Sequence, residues 1–255
     1  MSPKLPAEFL SAPLAHRALH DVTDSRPENS RAAIRAAIAA GYGIEIDVQL
    51  SADNQAMVFH DYALERLTTE KGAVRARAAG ALSQIALTGG EEGVPDLRGI
   101  LDLVDGRAAL LIEIKDQDGG MGTDIGPLEQ ATATALMGYT GPVALMSFNP
   151  NSVALMAELL PNVPRGLVTS AYRYDAWPLP AATCDRLREI PDYDRCGASF
   201  VSHEVDDLYR NRIAQLRDAG AKILCWTVKS AAQEVAARRI ADNITFECYL
   251  AEIPT

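Results

Sequence analysis

The chain has 255 residues, of which 48% are hydrophobic and 23% are charged, so it can bury a sizeable core and is not of the disordered class. Its formal net charge is −10 at pH 7, which argues against nucleic acid and anionic membrane surfaces as partners. That charge leaves room for a small phosphate ester held by a local metal ion.

The four cysteines, at positions 184, 196, 225 and 248, form no C-x-x-C pair and lack zinc-finger spacing. They predict free thiols in a reducing compartment. The first 17 residues contain no apolar run typical of a signal peptide, and no window approaches the ~20 apolar residues of a membrane span. We therefore expect a cytoplasmic protein without stable membrane insertion, and the sequence leaves its oligomeric state open.

The first predicted elements are a strand at 14–16 and a helix at 30–40, with Asn29 or Ser30 as N-cap and Gly41 ending it. A second strand at 43–50 is followed by turn residues and by an apolar run at 56–61. About five residues separate the two runs, which is too few for a parallel crossover, so we predict a hairpin.

Strands and helices then alternate to the end of the chain. Strands are predicted at 110–115, 143–148, 165–170, 198–203, 222–228 and 243–249, and helices at 97–104, 127–137, 151–160, 181–189, 207–219 and 231–240. Without the hairpin arm there are eight strands, and such alternation implies a parallel sheet. We predict an α/β fold, a (βα)₈ TIM barrel formed by residues 1–255 as a single domain, with a short rim hairpin after strand 2. Residues 70–95 are expected to form an excursion at the rim with a short helix.

Three carboxylates are predicted to meet at the mouth of this barrel, where catalytic residues of such folds lie. Strand periodicity turns Glu45, Asp47 and Glu113 inward, and three such groups cannot all stay ionised without a cation. Oxygen ligands of this kind suit Mg²⁺ or Ca²⁺. The alternative is a structural ion-pair cluster with Arg17 and Lys115.

Two histidines are predicted beside these carboxylates. The hairpin returns His60 to a position roughly opposite Asp47, near His16 at the end of the first strand. Such a pair can supply one general base and one general acid near neutral pH. His20 is expected on the surface, and His203, at the end of a later strand, is a weaker candidate for the pocket wall.

These motifs, in this order, resemble the glycerophosphodiester phosphodiesterase family. The resemblance is dense from residue 14 to 115 and sparser afterwards. Its matching pieces are His16-Arg17, Pro27-Glu28-Asn29-Ser30, Glu45-Ile46-Asp47-Val48, His60-Asp61, Leu64 with Arg66 and Thr68-Thr69, Glu113-Ile114-Lys115, Ser147-Phe148 and Trp226-Thr227-Val228.

The resemblance implies a metal-dependent barrel that hydrolyses glycerophosphodiesters to glycerol 3-phosphate and an alcohol. It implies that the three carboxylates hold one divalent cation and that the two histidines are the acid–base pair. Arg17 and Lys115 would contact phosphate oxygens, and Glu28 would be an accessory carboxylate of the mouth or complement a helix dipole. Trp226 and Phe148 would contact the substrate, with a place in the core as the alternative.

Three departures from the family pattern concern substrate choice. Ala18 replaces the glycine after His-Arg, Lys229 stands where Asn follows W-T-V, and the usual G-I-I-T-D-x-P ending reads NITFECYLAEIP, without the common aspartate. A lysophospholipid or a sugar or polyol phosphodiester therefore stays open as the substrate. A phosphate-ester-binding barrel without turnover is the remaining alternative.

Overall fold

The computed structural model describes residues 2–254. Its strands are β1 (Leu14–Ala15), β2 (Gly43–Leu50), β3 (Ala56–Val58), β4 (Leu110–Ile114), β5 (Val143–Ser147), β6 (Arg165–Thr169), β7 (Phe200–Glu204), β8 (Lys222–Val228) and β9 (Asn243–Phe246). Its α-helices are α1 (Glu8–Ser11), α2 (Arg31–Ala40), α3 (Ala79–Leu82), α4 (Leu97–Val104), α5 (Pro127–Leu136), α6 (Pro150–Leu159), α7 (Ala181–Arg188), α8 (Asn211–Asp218) and α9 (Ala231–Ala237).

Eight parallel strands form a closed barrel. They follow the order β1, β2, β4, β5, β6, β7, β8, β9, and the pairing of β9 with β1 closes the ring. β3 pairs antiparallel with β2 outside this ring, with Val48 opposite Val58. The predicted TIM barrel with a hairpin after the second strand is therefore confirmed.

The strands are buried on both faces, as a parallel sheet covered by helices requires. Ile44, Ile46 and Ile112 point outward and pack against the helices, as their alternation predicted. A second apolar cluster fills the barrel interior and includes Leu111 and Phe200. Because these interior side chains fill the lower barrel, the polar inward-facing residues lie at the C-terminal end.

Residues near the N-terminus contribute to the interior cluster. The four-residue helix α1, which the sequence analysis did not predict, carries a fully buried Phe9 that belongs to the interior cluster together with Leu14. A helix this short has no apolar periodicity, so only its tertiary contacts reveal it.

Helix α2 begins and ends as its sequence indicates. The Ser30 hydroxyl accepts a hydrogen bond from the Ala33 N–H, and Gly41 ends the helix at φ 78°. Ser30 alone is the N-cap, so the alternative assignment to Asn29 was wrong. Asn29 lies outside the helix at φ 59° and its side chain turns toward β2 instead.

The chain between β3 and α4 forms a rim excursion with a small core of its own. Met57, Phe59, Leu64 and Leu82 are fully buried within it, and it includes the short helix α3. The predicted short helix in residues 70–95 is present. This small core packs the segment that carries His60 against the rim of the barrel.

Several element boundaries differ from their predictions. Helix α8 starts four residues later than predicted, because residues 205–207 form a 3₁₀ turn after β7. The last strand ends at Phe246 rather than at residue 249. All four cysteines are free, and Cys248 alone among them is exposed. Among the described residues, no helix combines the length and apolar character needed to cross a bilayer.

Candidate active site

Three buried carboxylates meet at the C-terminal end of the barrel. Glu45 and Asp47 lie on β2, Glu113 lies on β4, and one oxygen of each lies within 4.8 Å of the others. Burial raises the pKa of Glu45 well above its usual range, and the charges of Asp47 and Glu113 raise it further. The cluster therefore holds more negative charge than its surroundings neutralise.

Two cations balance part of this charge. Lys115 Nζ lies 2.7 Å from Glu113 Oε1 and 3.2 Å from Asp47 Oδ1, and Arg17 Nε lies 3.7 Å from Asp47 Oδ2. Burial would raise the pKa of Asp47, but the nearby positive charges outweigh it and hold that pKa low. Glu45 accepts only the backbone N–H of Arg17, at 2.9 Å, and no side-chain cation within residues 2–254 pairs with it.

The donor set fits a hard divalent cation. Three carboxylates face two cationic side chains, so one negative charge is left uncompensated in a buried position. Carboxylate oxygens are the ligands that Mg²⁺ and Ca²⁺ prefer. An ion-pair cluster with Lys115 and Arg17 exists, but it leaves Glu45 unpaired and therefore does not replace a cation.

Each of the two predicted histidines is paired with a carboxylate. His16 Nδ1 lies 2.6 Å from Glu247 Oε2, and His60 Nδ1 lies 2.6 Å from Asp61 Oδ1. A proton on Nδ1 that faces the carboxylate leaves Nε2 as the nitrogen available to a ligand. Burial lowers the pKa of His16, and the hydrogen bond with Glu247 offsets part of that effect.

A chain of ion pairs connects the two sides of the site. Arg66 donates to Asp61 Oδ2 at 2.7 Å and to Glu28 Oε2 at 2.8 Å, and Arg17 Nη1 donates to Glu28 Oε1 at 2.9 Å. Glu28, predicted as an accessory carboxylate of the mouth, thus lies behind Arg17 with both oxygens occupied. It links the Asp61–His60 pair to Arg17 rather than lining the cavity.

The three carboxylates, the two histidines, Arg17 and Lys115 surround one cavity of about 380 Å³. Phe148 and Trp226 form its apolar side and contact each other edge to face, with ring centroids 5.4 Å apart. The other predicted site residues on its wall are His16, Arg17, Glu45, Asp47, His60, Glu113 and Lys115. His203 does not line it: its buried ring contacts Thr169 Oγ1 and Asp207 on the outer side of β7.

Comparisons with known proteins identify the family. The sequence model of the glycerophosphoryl diester phosphodiesterase family matches residues 16–244. The chain belongs to this family. It is therefore an enzyme of the phosphoric diester hydrolase class, and the resemblance noted from its motifs is confirmed.

Individual relatives agree with this assignment. A Bacillus subtilis protein, YqiK, whose function is uncharacterised, is 34% identical over 209 residues, covering 75% of this chain and 79% of its own length. A glycerophosphodiester phosphodiesterase of Caldanaerobacter subterraneus is 29% identical over 232 residues, 84% of each chain. An Oleispira antarctica phosphodiesterase, solved with its product sn-glycerol-3-phosphate, shares the fold at a TM-score of 0.75, with 23% identity over 94% of both chains.

Two residues of this phosphodiesterase site were missed by the sequence analysis. Glu247 stands where the family's usual ending has aspartate, and its longer side chain reaches His16. Asn29 donates to Asp47 Oδ2 at 3.0 Å, and its Oδ1 accepts the Asp47 N–H at 3.3 Å. Glu247 could have been found from the sequence, because it is an acidic residue at the position of the family's aspartate. Asn29 was missed because it was assigned to a helix cap.

Lys229, which stands where the family pattern has asparagine, pairs with the carboxylate of Glu247. Lys229 Nζ lies 2.8 Å from Glu247 Oε1, and His20 Nε2 lies 3.7 Å from Glu247 Oε2. The histidine expected on the surface is therefore partly enclosed beside the site. The hydrogen bond with His16, together with the nearby His20 and Lys229, holds the pKa of Glu247 far below its usual range.

Proposed function

We propose that this phosphodiesterase hydrolyses glycerophosphodiesters to glycerol 3-phosphate and an alcohol, with one divalent cation, Mg²⁺ or Ca²⁺. The observation that carries the proposal is one cavity in which three buried carboxylates stand beside two carboxylate-paired histidines. The substrate class is supported by the name of the Caldanaerobacter relative and by the product in the Oleispira structure.

Glu45, Asp47 and Glu113 would hold the cation. When bound, it supplies charge that neutralises the phosphoryl oxygens and activates the nucleophile. Lys115 and Arg17 line the same cavity and bind phosphate oxygens in this proposal. The Lys115 ammonium stands beside Asp47 and Glu113, the carboxylates that would hold the cation, and so adds positive charge where the phosphate would bind.

His16 and His60 move the protons. Burial lowers the pKa of His16 and so favours its neutral form, and in this proposal His16 acts as the base at Nε2. His60 protonates the leaving oxygen. Asp61 and Glu247 hold the two rings by their Nδ1 atoms, which leaves each Nε2 available to the substrate.

Phe148 and Trp226 provide the wall for the carbon atoms of the substrate. Their edge-to-face contact fixes both rings, and Trp226 Nε1 also donates to the Ser202 carbonyl at 3.1 Å. An aromatic wall opposite the carboxylates orients the diester, because its charged and apolar ends then face different sides of the cavity.

The first test is release of glycerol 3-phosphate from choline, ethanolamine, glycerol and inositol diesters, in EDTA, Mg²⁺ or Ca²⁺. We expect cation-dependent release that falls at least about a hundredfold in His16→Ala and in Glu45→Gln. Glu129→Gln, a buried carboxylate that bonds the Gly126 N–H outside the site, is the matched control and should keep its activity. Absence of release with every diester and ion would contradict the proposal.

A lysophospholipid is the second candidate substrate. A cleft of about 530 Å³ adjoins the site, shares Glu247 with it and is lined by apolar side chains that include Leu19, Val22 and Leu250. Val22 and Leu250 are exposed, and an acyl chain would cover them. Lysophosphatidylcholine tests this with choline release as the readout, because its cleavage gives lysophosphatidic acid and choline rather than glycerol 3-phosphate. Choline release faster than that from glycerophosphocholine would make it the preferred substrate.

We propose a cytoplasmic location, supported by four free cysteines of which three are buried. Buried thiols without disulfides suit a reducing compartment. Fractionation of the producing cells, with the enzyme followed by its activity, should recover it with cytoplasmic markers. Recovery with an extracytoplasmic fraction would contradict this location.

A further inference from the structure

One hydroxyl in the catalytic cavity has no hydrogen-bond partner among the described residues. Thr245, on β9, is 1% exposed, and its Oγ1 makes no hydrogen bond within residues 2–254. Three other buried hydroxyls share this property, on Thr132, Ser152 and Ser202, but of the four only Thr245 lines the catalytic cavity. A buried polar atom without a partner is costly unless water or a ligand completes it.

Strand register places this hydroxyl below the reacting groups. Leu14 is the partner of both Gly43 and Thr245, so Thr245 lies one two-residue step, about 6.6 Å, deeper than His16. Glu45 occupies the level of His16 on the other side of β1. A substituent that reaches from the carboxylates down into the barrel therefore arrives at Thr245.

Part of the cavity that Thr245 lines is apolar. Met146, Val168 and Trp226 line the same cavity and belong to the apolar interior of the barrel. A short carbon chain fits such a surface, and its terminal hydroxyl would meet the unpartnered hydroxyl of Thr245. Threonine can both donate to and accept from that hydroxyl.

We propose that the Thr245 hydroxyl binds the terminal hydroxyl of the substrate's glycerol moiety and so determines specificity for glycerol. The inference rests on the proposed function and extends it from the reaction to the recognised group. A site built to bond a hydroxyl discriminates strongly against an analogue that lacks it, because the buried partner is then left unsatisfied. Thr245 would act on selection of the substrate and not on proton transfer.

The test compares two diesters that release the same alcohol: glycerophosphoethanolamine and its propane-1,2-diol analogue, which lacks only the terminal hydroxyl. We expect the wild type to prefer the glycerol diester about tenfold or more in kcat/KM, measured by ethanolamine release. Thr245→Val keeps the shape and removes the hydroxyl, so the preference should fall to about one. Thr245→Ser, which restores a hydroxyl, should keep most of it.

Ser202→Ala is the matched control, because it removes an equally buried, unpartnered hydroxyl from a barrel strand outside the cavity wall. It should leave the preference unchanged. If the Tm of Thr245→Val is much lower than that of the wild type, the preference is measured with Thr245→Ala instead. A wild type without preference, or a hydroxyl-free variant (Thr245→Val or Thr245→Ala) that retains it, overturns this inference while hydrolysis itself stands. Cleavage of neither diester overturns the proposed function and the inference together.

Discussion

The carboxylate of Glu247 serves three nitrogen-bearing side chains at once. Its Oε2 bonds His16 Nδ1 at 2.6 Å and lies 3.7 Å from His20 Nε2, while its Oε1 bonds Lys229 Nζ at 2.8 Å. These contacts keep the carboxylate ionised and fix its orientation. The ring of His16 consequently presents Nε2 to the cavity.

Removing this charge should change both the rate and its pH dependence. Burial lowers the pKa of His16, whereas Glu247 and, less strongly, Asp47 raise it, so Glu247→Gln removes the larger opposing effect. We expect kcat to fall about ten- to a hundredfold and the acidic limb of the pH–rate profile to move to lower pH. Glu234→Gln, which removes a buried carboxylate bonded to Arg238 outside the site, should change neither. An unshifted limb would contradict this role of Glu247.

Asn29 should matter for cation affinity. Its amide bonds both the side chain and the backbone of Asp47, and loss of such a supporting hydrogen bond typically costs ten- to a hundredfold in metal affinity. Asn29→Gly removes the amide and tolerates φ 59°. We expect half-maximal activation to need correspondingly more Mg²⁺ or Ca²⁺. Asn54→Gly makes the same substitution at a left-handed hairpin position and should leave the activation curve in place.

At the scale of elements, the sequence predicted best those segments with clear ends. β2 and α4 have the bounds that were predicted: turn residues follow β2, and the structure shows that the Asp96 side chain caps α4 by accepting the Gly99 N–H. The predictions that failed concern segments whose structure depends on contacts with the rest of the fold. Helix α1 is too short to show apolar periodicity. A 3₁₀ turn with two aspartates precedes α8, and such polar residues also occur at the start of an α-helix, so the predicted start was too early.

The N-cap of α2 offers a test at this scale. Ser30 satisfies the Ala33 N–H from a buried position, and Ser30→Ala should lower the free energy of unfolding by about 1 kcal/mol. Denaturant unfolding measures this change. Ser83→Ala removes an exposed hydroxyl that caps no helix N-terminus and should have a much smaller effect. Equal effects of the two substitutions would contradict the capping role.

At the scale of the molecule, alternation of strands and helices sufficed to predict the barrel, and strand periodicity sufficed to bring Glu45, Asp47 and Glu113 together. Local sequence could not pair His16 with Glu247, because 231 positions separate them and only closure of the barrel brings them into contact. The same holds for Thr245, whose unpartnered hydroxyl is a property of the assembled interior.

Cation binding should stabilise the whole fold in a pH-dependent way. The folded protein raises the pKa of Glu45, so without a cation the ionisation of Glu45 costs stability as pH rises through its folded pKa. A bound cation favours the ionised form of Glu45 and so offsets this loss of stability. We expect Mg²⁺ or Ca²⁺ to raise Tm more at pH 8 than at pH 5, with about 2.7 kcal/mol gained at a hundred times Kd. Thermal unfolding against EDTA measures this, and Glu45→Gln should remove most of the gain. Equal gains at both pH values would argue against the assigned ligands.

We propose that residues 1–255 form a single domain. The first and last strands of the barrel pair with each other, so no shorter part of the chain closes the ring. Calorimetry should record one cooperative transition in EDTA, with equal calorimetric and van't Hoff enthalpies. Two separable transitions would contradict this organisation.

The pairing of the first strand with the last also orders events during synthesis. His16 leaves the ribosome early, but the carboxylate that orients it is made 231 residues later. At typical elongation rates of roughly 5–20 residues per second, the last of the metal-binding carboxylates, Glu113, precedes Glu247 by roughly 7 to 27 seconds. A nascent or prematurely terminated chain would therefore gather its cation ligands without a competent base. Hydrolytic activity, on this reading, begins only when translation of the barrel is complete.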